Sequence, residues 1–430
     1  MSEGTLIRKQ GIGELLRIRP YVQFMLGKVI ARFGDSIDSI AYSWMVYMLT
    51  GSKLLMGTLL AVNFLPNIVL GLFAGALVDR MSPKKVIVLT NVGRGLLVGI
   101  TALLFGLGQL QVWHLFVVTI LISLLECFTS PAEVSSVPRL LPQSMLLSGN
   151  AMSSSASRVA ELAGLAVAGA LIATAGIAWT IFIDAVLFAL SAICMSRVVY
   201  PTSNTSSTQD NIAIHDDSVN PSVKATSIFA EMMEAFHFVR KHVLLLIVSI
   251  LFAFVNFCLM PFNVLRTPYV METLQAGAGG LSLLSGLMVA GMVLSGVWMS
   301  HAGANYRKSM LVVSGIVMLG LSYALTAIPA YMSDFQLPAA AACCLLMGFG
   351  IPLATTPLAS YLMEVTPSEM LGRVSALQSM LCLSVVPLGS LAAGALAEWI
   401  ALPVLFIVFG LLLAMSVIMI LFSKSFRQMT

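Results

Sequence analysis

The chain has 430 residues, of which 58% are hydrophobic and only 10% charged, against roughly 45–50% and about 25% in soluble domains. With 33 Gly, 26 Met and a mean hydropathy of +0.95, it cannot cover a soluble surface with polar groups, which excludes a soluble multidomain protein. The net charge of +4 is too small, and its cations too scattered, for nucleic acid.

Residues 1–19 are polar and basic, and the apolar stretch that follows is far too long for the core of a signal peptide, so no cleavable leader is expected. A helix needs about 20 apolar residues to cross the hydrocarbon core. By that rule the chain holds twelve spans, near 20–49, 54–78, 84–107, 112–135, 148–175 and 177–198, then 243–268, 280–302, 309–329, 337–361, 373–397 and 401–422. The expected fold is an all-α membrane protein with two six-helix bundles, residues 1–198 and 242–430, joined by a cytoplasmic linker over 199–241. Lys and Arg set the orientation. With the N-terminus in the cytoplasm, that side receives seventeen of them, from Arg8 to Arg427, and the opposite side receives Lys53 alone. Both termini are therefore expected in the cytoplasm of a bacterial cell. After the polar stretch, residues 227–242 place Phe229, Met232, Met233, Phe236 and Val239 on one helical face, as an amphipathic helix on the inner membrane surface would. All six cysteines fall in apolar runs without CxxC spacing, so no metal, redox centre or other cofactor is expected.

The halves repeat at an offset of 225: Pro142, Met145, Leu146 and Ala151 return as Pro367, Met370, Leu371 and Ala376. At the same offset Gly164, Ala168 and Gly169 return as Gly389, Ala393 and Gly394. Six spans per half make the repeat parallel, the arrangement in which a substrate site forms at the midplane between bundles. Gly164, Gly169, Gly389 and Gly394 would let helix backbones approach closely where the halves meet.

The loop after the second span reads Gly75-Ala-Leu77-Val-Asp79-Arg80-Met-Ser82-Pro83-Lys84-Lys85. It resembles the signature loop of the major facilitator superfamily, G-x-L-x-D-R-x-G-R-K. The resemblance implies a loop acting as a gate, with Asp79 docking against the other half and Gly75 allowing close packing. Glu133 is the expected partner for Arg80 and Lys84. Ser82 and Pro83 depart from the pattern, and the second-half loop keeps Arg307 and Lys308 but no Asp. Phe33-Gly34-Asp35, Leu49-Thr50-Gly51-Ser52, Ser130-Pro131-Ala132 and Phe238 to His242 are similar to the macrolide-efflux and enterobactin-exporter branch, which contains drug:proton antiporters. The antiporter motif of the fifth span lacks its proline, reading Gly164-Leu-Ala-Val-Ala-Gly169.

Ten charged residues fall within spans, nine of them in the first half. Each costs about 2.5–3.5 kcal/mol at the bilayer centre on insertion scales, so they must be paired or face a wet cavity. In the first span Lys28, Arg32, Asp35, Asp38, Ser39 and Tyr42 share one arc, as a cavity wall would. Asp35 and Asp38 stand i,i+3, near enough to repel, so one of them is a candidate to exchange a proton for cargo. Asp184 in the sixth span is a third candidate. Glu126 and Arg158 come out at similar depth and are expected to pair. Arg94, and from the second half Asn256, Asn263 and Arg266, are candidate polar contacts for cargo.

These readings converge on a proton-coupled secondary transporter that exports a bulky amphipathic small molecule, drug-like or self-made, by alternating access. The expected partners are that molecule, protons and the lipid bilayer, with the chain working as a monomer. An exporter of siderophores or other metabolites remains open, as do a symporter and a receptor. No HExxH, Walker loop or Ser/His/Asp set marks an enzyme.

Overall fold

The structure is a computed structural model that describes residues 12–79, 81–200, 228–332, 334–367 and 370–421. Among them there is no strand, and twelve long helices dominate. The first six are α1 (Arg19–Thr50), α2 (Lys53–Asp79), α3 (Pro83–Gly106), α4 (Val112–Leu140), α5 (Leu146–Ala175) and α6 (Ile177–Ser196). The second six are α7 (Val243–Pro268), α8 (Ala278–Ala302), α9 (Lys308–Leu325), α10 (Gln336–Val365), α11 (Leu371–Leu396) and α12 (Leu402–Leu421). Ten of these helices are long and apolar enough to cross a membrane. The exceptions are α12, whose qualifying stretch is short, and α1, which carries five charged side chains, Arg19, Lys28, Arg32, Asp35 and Asp38.

Local chemistry sets the ends. Helix α1 starts with a proline in its first turn, where no N–H is required. It stops at Gly51, whose φ of +59° lets its N–H donate back to the Tyr47 carbonyl at 2.8 Å. Helix α7 ends on Pro268 and passes into a π-helical turn, Tyr269–Thr273, the kind of insertion that re-aims side chains at functional positions.

Packing follows the repeat. Helix α1 packs on α5 and α6, α3 on α4 and α6, and α2 on α4; α7 packs on α11 and α12, α9 on α10 and α12, and α8 on α10. Each of these main contacts in the first set has its counterpart six helices later. The Met145 N–H donates to the Pro142 carbonyl at 2.9 Å, and Met370 does the same to Pro367 at 2.9 Å.

The two sets meet chiefly through α2 against α11 and α5 against α8. The glycines predicted for close contact divide into two symmetric jobs. Gly164 and Gly389 sit inside their own sets: a Cβ would meet the Phe33 carbonyl at 2.6 Å in one case and the Phe257 carbonyl at 3.0 Å in the other. Gly169 and Gly394 sit between the sets, where a Cβ would meet Gly279 Cα at 2.6 Å and the Lys53 carbonyl at 2.8 Å respectively.

The expected amphipathic helix is present as Ile228–Lys241. Its apolar face is only partly covered: Met233 and Phe236 are exposed, whereas Val239 is buried with Leu245, Leu362, Val374 and Leu377. Glu234 pairs with Arg373 on α11 at 2.9 Å, so the helix is strapped to the second set rather than simply laid beside it. Residues 201–227, including most of the predicted linker, lie outside the described residues.

Candidate functional site

A cavity of about 510 Å³ opens between the two sets, walled by α1, α2, α4 and α7. Volumes of this order hold drug-sized ligands. Asp38, Ser39 and Tyr42 of the predicted α1 stripe line it, and Asn263 and Arg266 face them from α7. Tyr42 is fixed by Thr119, their hydroxyls 2.7 Å apart. Apolar side chains such as Phe64, Met260 and Val264 make up much of the remaining wall. Asp38 and Arg266 are the charged residues of this lining, and among the described residues no ion pair or hydrogen bond engages either one's charged group. A second cavity of about 460 Å³ adjoins it through Ser39 and is lined by Lys28, Arg32, Asp35, Arg158 and Glu161.

Behind the stripe lies a charge cluster centred on Arg94 of α3. Its guanidinium engages Asp35 of α1 and, at 3.0 Å, Glu126 of α4, while its face lies 4.3 Å from the ring centroid of Phe188 on α6. Asp35 also pairs with Arg32 at 3.6 Å. Four helices therefore converge on one cation, which satisfies two acids in a low-dielectric interior. Asp184 is fully buried on α6, with neither carboxylate oxygen hydrogen-bonded. It abuts Gly34 so closely that a Cβ there would overlap Oδ1, which explains why Phe33-Gly34-Asp35 needs its glycine.

Several expected contacts turn out otherwise. Glu126 does not meet Arg158: it meets Arg94, and Arg158 pairs with Glu161 of its own helix at 2.8 Å, largely exposed. Helix α4 packs on α2 and α3, whereas α5 packs on α1 and α8, so equal depth did not mean equal facing. Glu133 pairs with Lys28 at 3.0 Å rather than with Lys84. Lys84 Nζ instead donates to the Val198 carbonyl at 2.7 Å, just beyond the C-terminal end of α6, where a cation is favoured. Asn256 does not reach the central cavity and donates to the Phe252 carbonyl of its own helix at 2.9 Å. Arg80 and the side chain of Asp79 lie outside the described residues. Gly75 packs against nothing within 4 Å of a built Cβ, so the close approach expected there is not made in this conformation.

Sequence reasoning missed the opposite end, away from the gating loop. There the Tyr47 hydroxyl donates to Glu272, and Lys53 Nζ meets the same carboxylate at 2.8 Å. The Leu54 N–H donates to Glu398 at 3.3 Å. Tyr47, Lys53 and Leu54 belong to the first set or its loop, the two glutamates to the second. The π turn after Pro268 is what carries Glu272 into reach. The available signal was charge: Lys53 is the lone cation predicted for that side, and Glu272 and Glu398 stand in short segments there. Being partly exposed, the Lys53–Glu272 pair is worth at most about 1 kcal/mol. Glu272→Gln should thus shift the balance of conformers by no more than about fivefold. Pulsed EPR between spin labels on Gln109 and Trp399, both exposed at this end, would measure that shift.

The Major Facilitator Superfamily sequence profile matches residues 24–388. Macrolide efflux protein A of Streptococcus pyogenes is 24% identical over 393 residues, 90% of this chain and 91% of that protein. The multidrug efflux pump Tap of Mycolicibacterium fortuitum is 24% identical over 423 residues, 95% of this chain and 97% of that one. Among solved structures, a bacterial homologue of the iron transporter ferroportin in an inward-facing state superposes with a TM-score of 0.70 at 17% identity, covering 94% of this chain and 98% of that one. The nucleoside transporter NupG gives 0.68 at 11% identity, covering 94% and 100%.

Proposed function

Because the chain belongs to the major facilitator superfamily, we propose that this transporter exports a bulky, amphipathic small molecule across a bacterial plasma membrane in exchange for protons. The observation that carries the reading is Asp38, a carboxylate without a partner on the wall of a drug-sized cavity between two matched six-helix sets. A carboxylate in that position can hold a proton or face a cargo molecule, and the two compete for it. Asp35 is ill suited to the exchange, because Arg94 and Arg32 already balance its charge. Asp184 is the second proton site, reached through the same helix bundle.

Residues 1–198 and 242–430 are the bodies that rock against each other, with both termini in the cytoplasm, as the distribution of Lys and Arg favours. In this arrangement Tyr47, Lys53 and Leu54, gripping Glu272 and Glu398, close the outer end. The cavity is then offered to the cytoplasm, ready to load. The names of the two efflux relatives agree with a drug-like cargo. One chain contains the whole cavity, so a monomer suffices.

Proteoliposomes with an imposed proton gradient test this. The native protein is expected to drive uptake of an amphipathic dye against its gradient, with matching proton release. Asp38→Asn should lose gradient-driven accumulation while still catalysing dye-for-dye exchange, which needs no proton. Accumulation unchanged in Asp38→Asn would rule out Asp38 as the coupling acid. Accumulation indifferent to the proton gradient in the native protein would rule out antiport.

A further inference from the structure

The membrane cations found in the first set are already spent: Arg94 on Asp35 and Glu126, Arg32 on Asp35, Lys28 on Glu133, Arg158 on Glu161. Arg266 is different. It lies on α7, between Pro261 and Pro268, and lines the central cavity. Among the described residues no carboxylate lies within 4.0 Å of it, and its Nε is sealed from solvent without a hydrogen-bond partner. The titratable group that bears on it most is the thiol of Cys344, which is uncharged at neutral pH. An unpaired guanidinium in a membrane interior is costly unless something else completes it. The same cavity holds an unpaired carboxylate, Asp38, on its other wall, and the two do not pair with each other.

We propose that Arg266 is the anion-binding half of a two-point cargo site, and that the preferred cargo is a zwitterionic amphiphile. A basic amine on such a molecule meets Asp38, and a carboxylate or similar oxyanion meets the Arg266 fork, with Phe64 and Met260 against the apolar body between them. This rests on the export reading and narrows it. A cargo that carried only an anion would leave Asp38 facing like charge, and would hold the proton there instead of releasing it. A cargo that carried only a cation would leave Arg266 bare. A molecule with both charges completes both walls and still displaces the proton, so exchange and selectivity follow from one geometry. Guanidinium binds oxyanions through a planar fork of N–H donors, which lysine cannot copy.

The test uses ciprofloxacin, a fluorescent zwitterion with a piperazine amine and a carboxylate, beside its methyl ester, which keeps only the cation, and its N-acetyl form, which keeps only the anion. Binding to the purified full chain in nanodiscs is read by fluorescence anisotropy. The native protein is expected to bind ciprofloxacin about tenfold or more tighter than either derivative, the scale of one charge-assisted hydrogen-bonded contact. Arg266→Gln should erase the advantage over the methyl ester without weakening binding of the ester itself, and Arg266→Lys should restore only part of it. Equal affinity of the native protein for ciprofloxacin and the ester overturns the proposal whatever the variants do. So does a ratio that survives Arg266→Gln, or no binding of ciprofloxacin at all. Proton release driven by the cationic ester reports on the export reading separately: if the ester still exchanges for protons while showing no disadvantage in binding, antiport stands and the Arg266 subsite falls.

Discussion

Replacing Arg94 with leucine is expected to remove about 3–5 kcal/mol of stability, enough to leave little folded transporter in the membrane. The reason is what stays behind. Arg94 alone bridges Asp35 and Glu126, and its side chain is only 9% exposed. Without it Glu126 has no cation, and Asp35 keeps only Arg32, at 3.6 Å and half in solvent. Breaking a buried ion cluster from one side costs more than deleting it whole, because uncompensated charge remains in a medium that solvates it poorly. Neutralising the two acids together with Arg94, as Arg94→Leu/Asp35→Asn/Glu126→Gln, should therefore recover much of the loss. Thermal unfolding followed by fluorescence-detected size exclusion would measure both variants. If the triple variant were no better than the single one, lost packing against Phe188 would be the cause, not stranded charge.

Valine at Gly169 or at Gly394 should open the end held by Glu272 and Glu398 and cut transport by more than tenfold. Outside such contacts, replacing a helical glycine gains about 0.5–1 kcal/mol. Here a side chain would press on Gly279 Cα and Ser282 Oγ in one case, and on the Lys53 carbonyl and Leu54 Cα in the other. Overpacking of this kind costs about 1–3 kcal/mol, so the steric term wins. It acts only where the two sets touch, so separating them relieves it. The resulting bias corresponds to about 5- to 150-fold in conformer ratio, visible in the Gln109–Trp399 distance distribution. Gly286→Val on α8 is the control: a Cβ there meets nothing within 4 Å, and the distribution should not move.

Much of the architecture was readable before any coordinates, for reasons rooted in the bilayer. Spans declare themselves by length because every backbone polar group must be satisfied inside hydrocarbon, and the 225-residue offset carries over helix by helix into the packing. The α1 stripe was readable too, since one helix fixes the angular order of Asp38, Ser39 and Tyr42. Partner choice was not. Position along a helix gives depth but not which neighbour it faces, so Glu126 and Arg158 looked like a pair and are not. Glu133 went to Lys28 of α1, which stands within 3.0 Å of it. The clasp on Glu272 depends on the π turn after Pro268, a one-residue change of helical pitch with no signature in composition.

The unequal placement of charge between the matched halves has an evolutionary consequence. In the first set Arg32 and Asp35 of α1, Arg94 of α3 and Glu126 of α4 form one interdependent charge cluster. The opposing wall contributes Asn263 and Arg266 to the cavity, and among the described residues Arg266 is tied to no other ionised group. Under the proposed function, substitutions on α7 can accordingly retune what is carried without disturbing that cluster. Paralogues should diversify first along that helix, while the charge cluster of the first set drifts slowly.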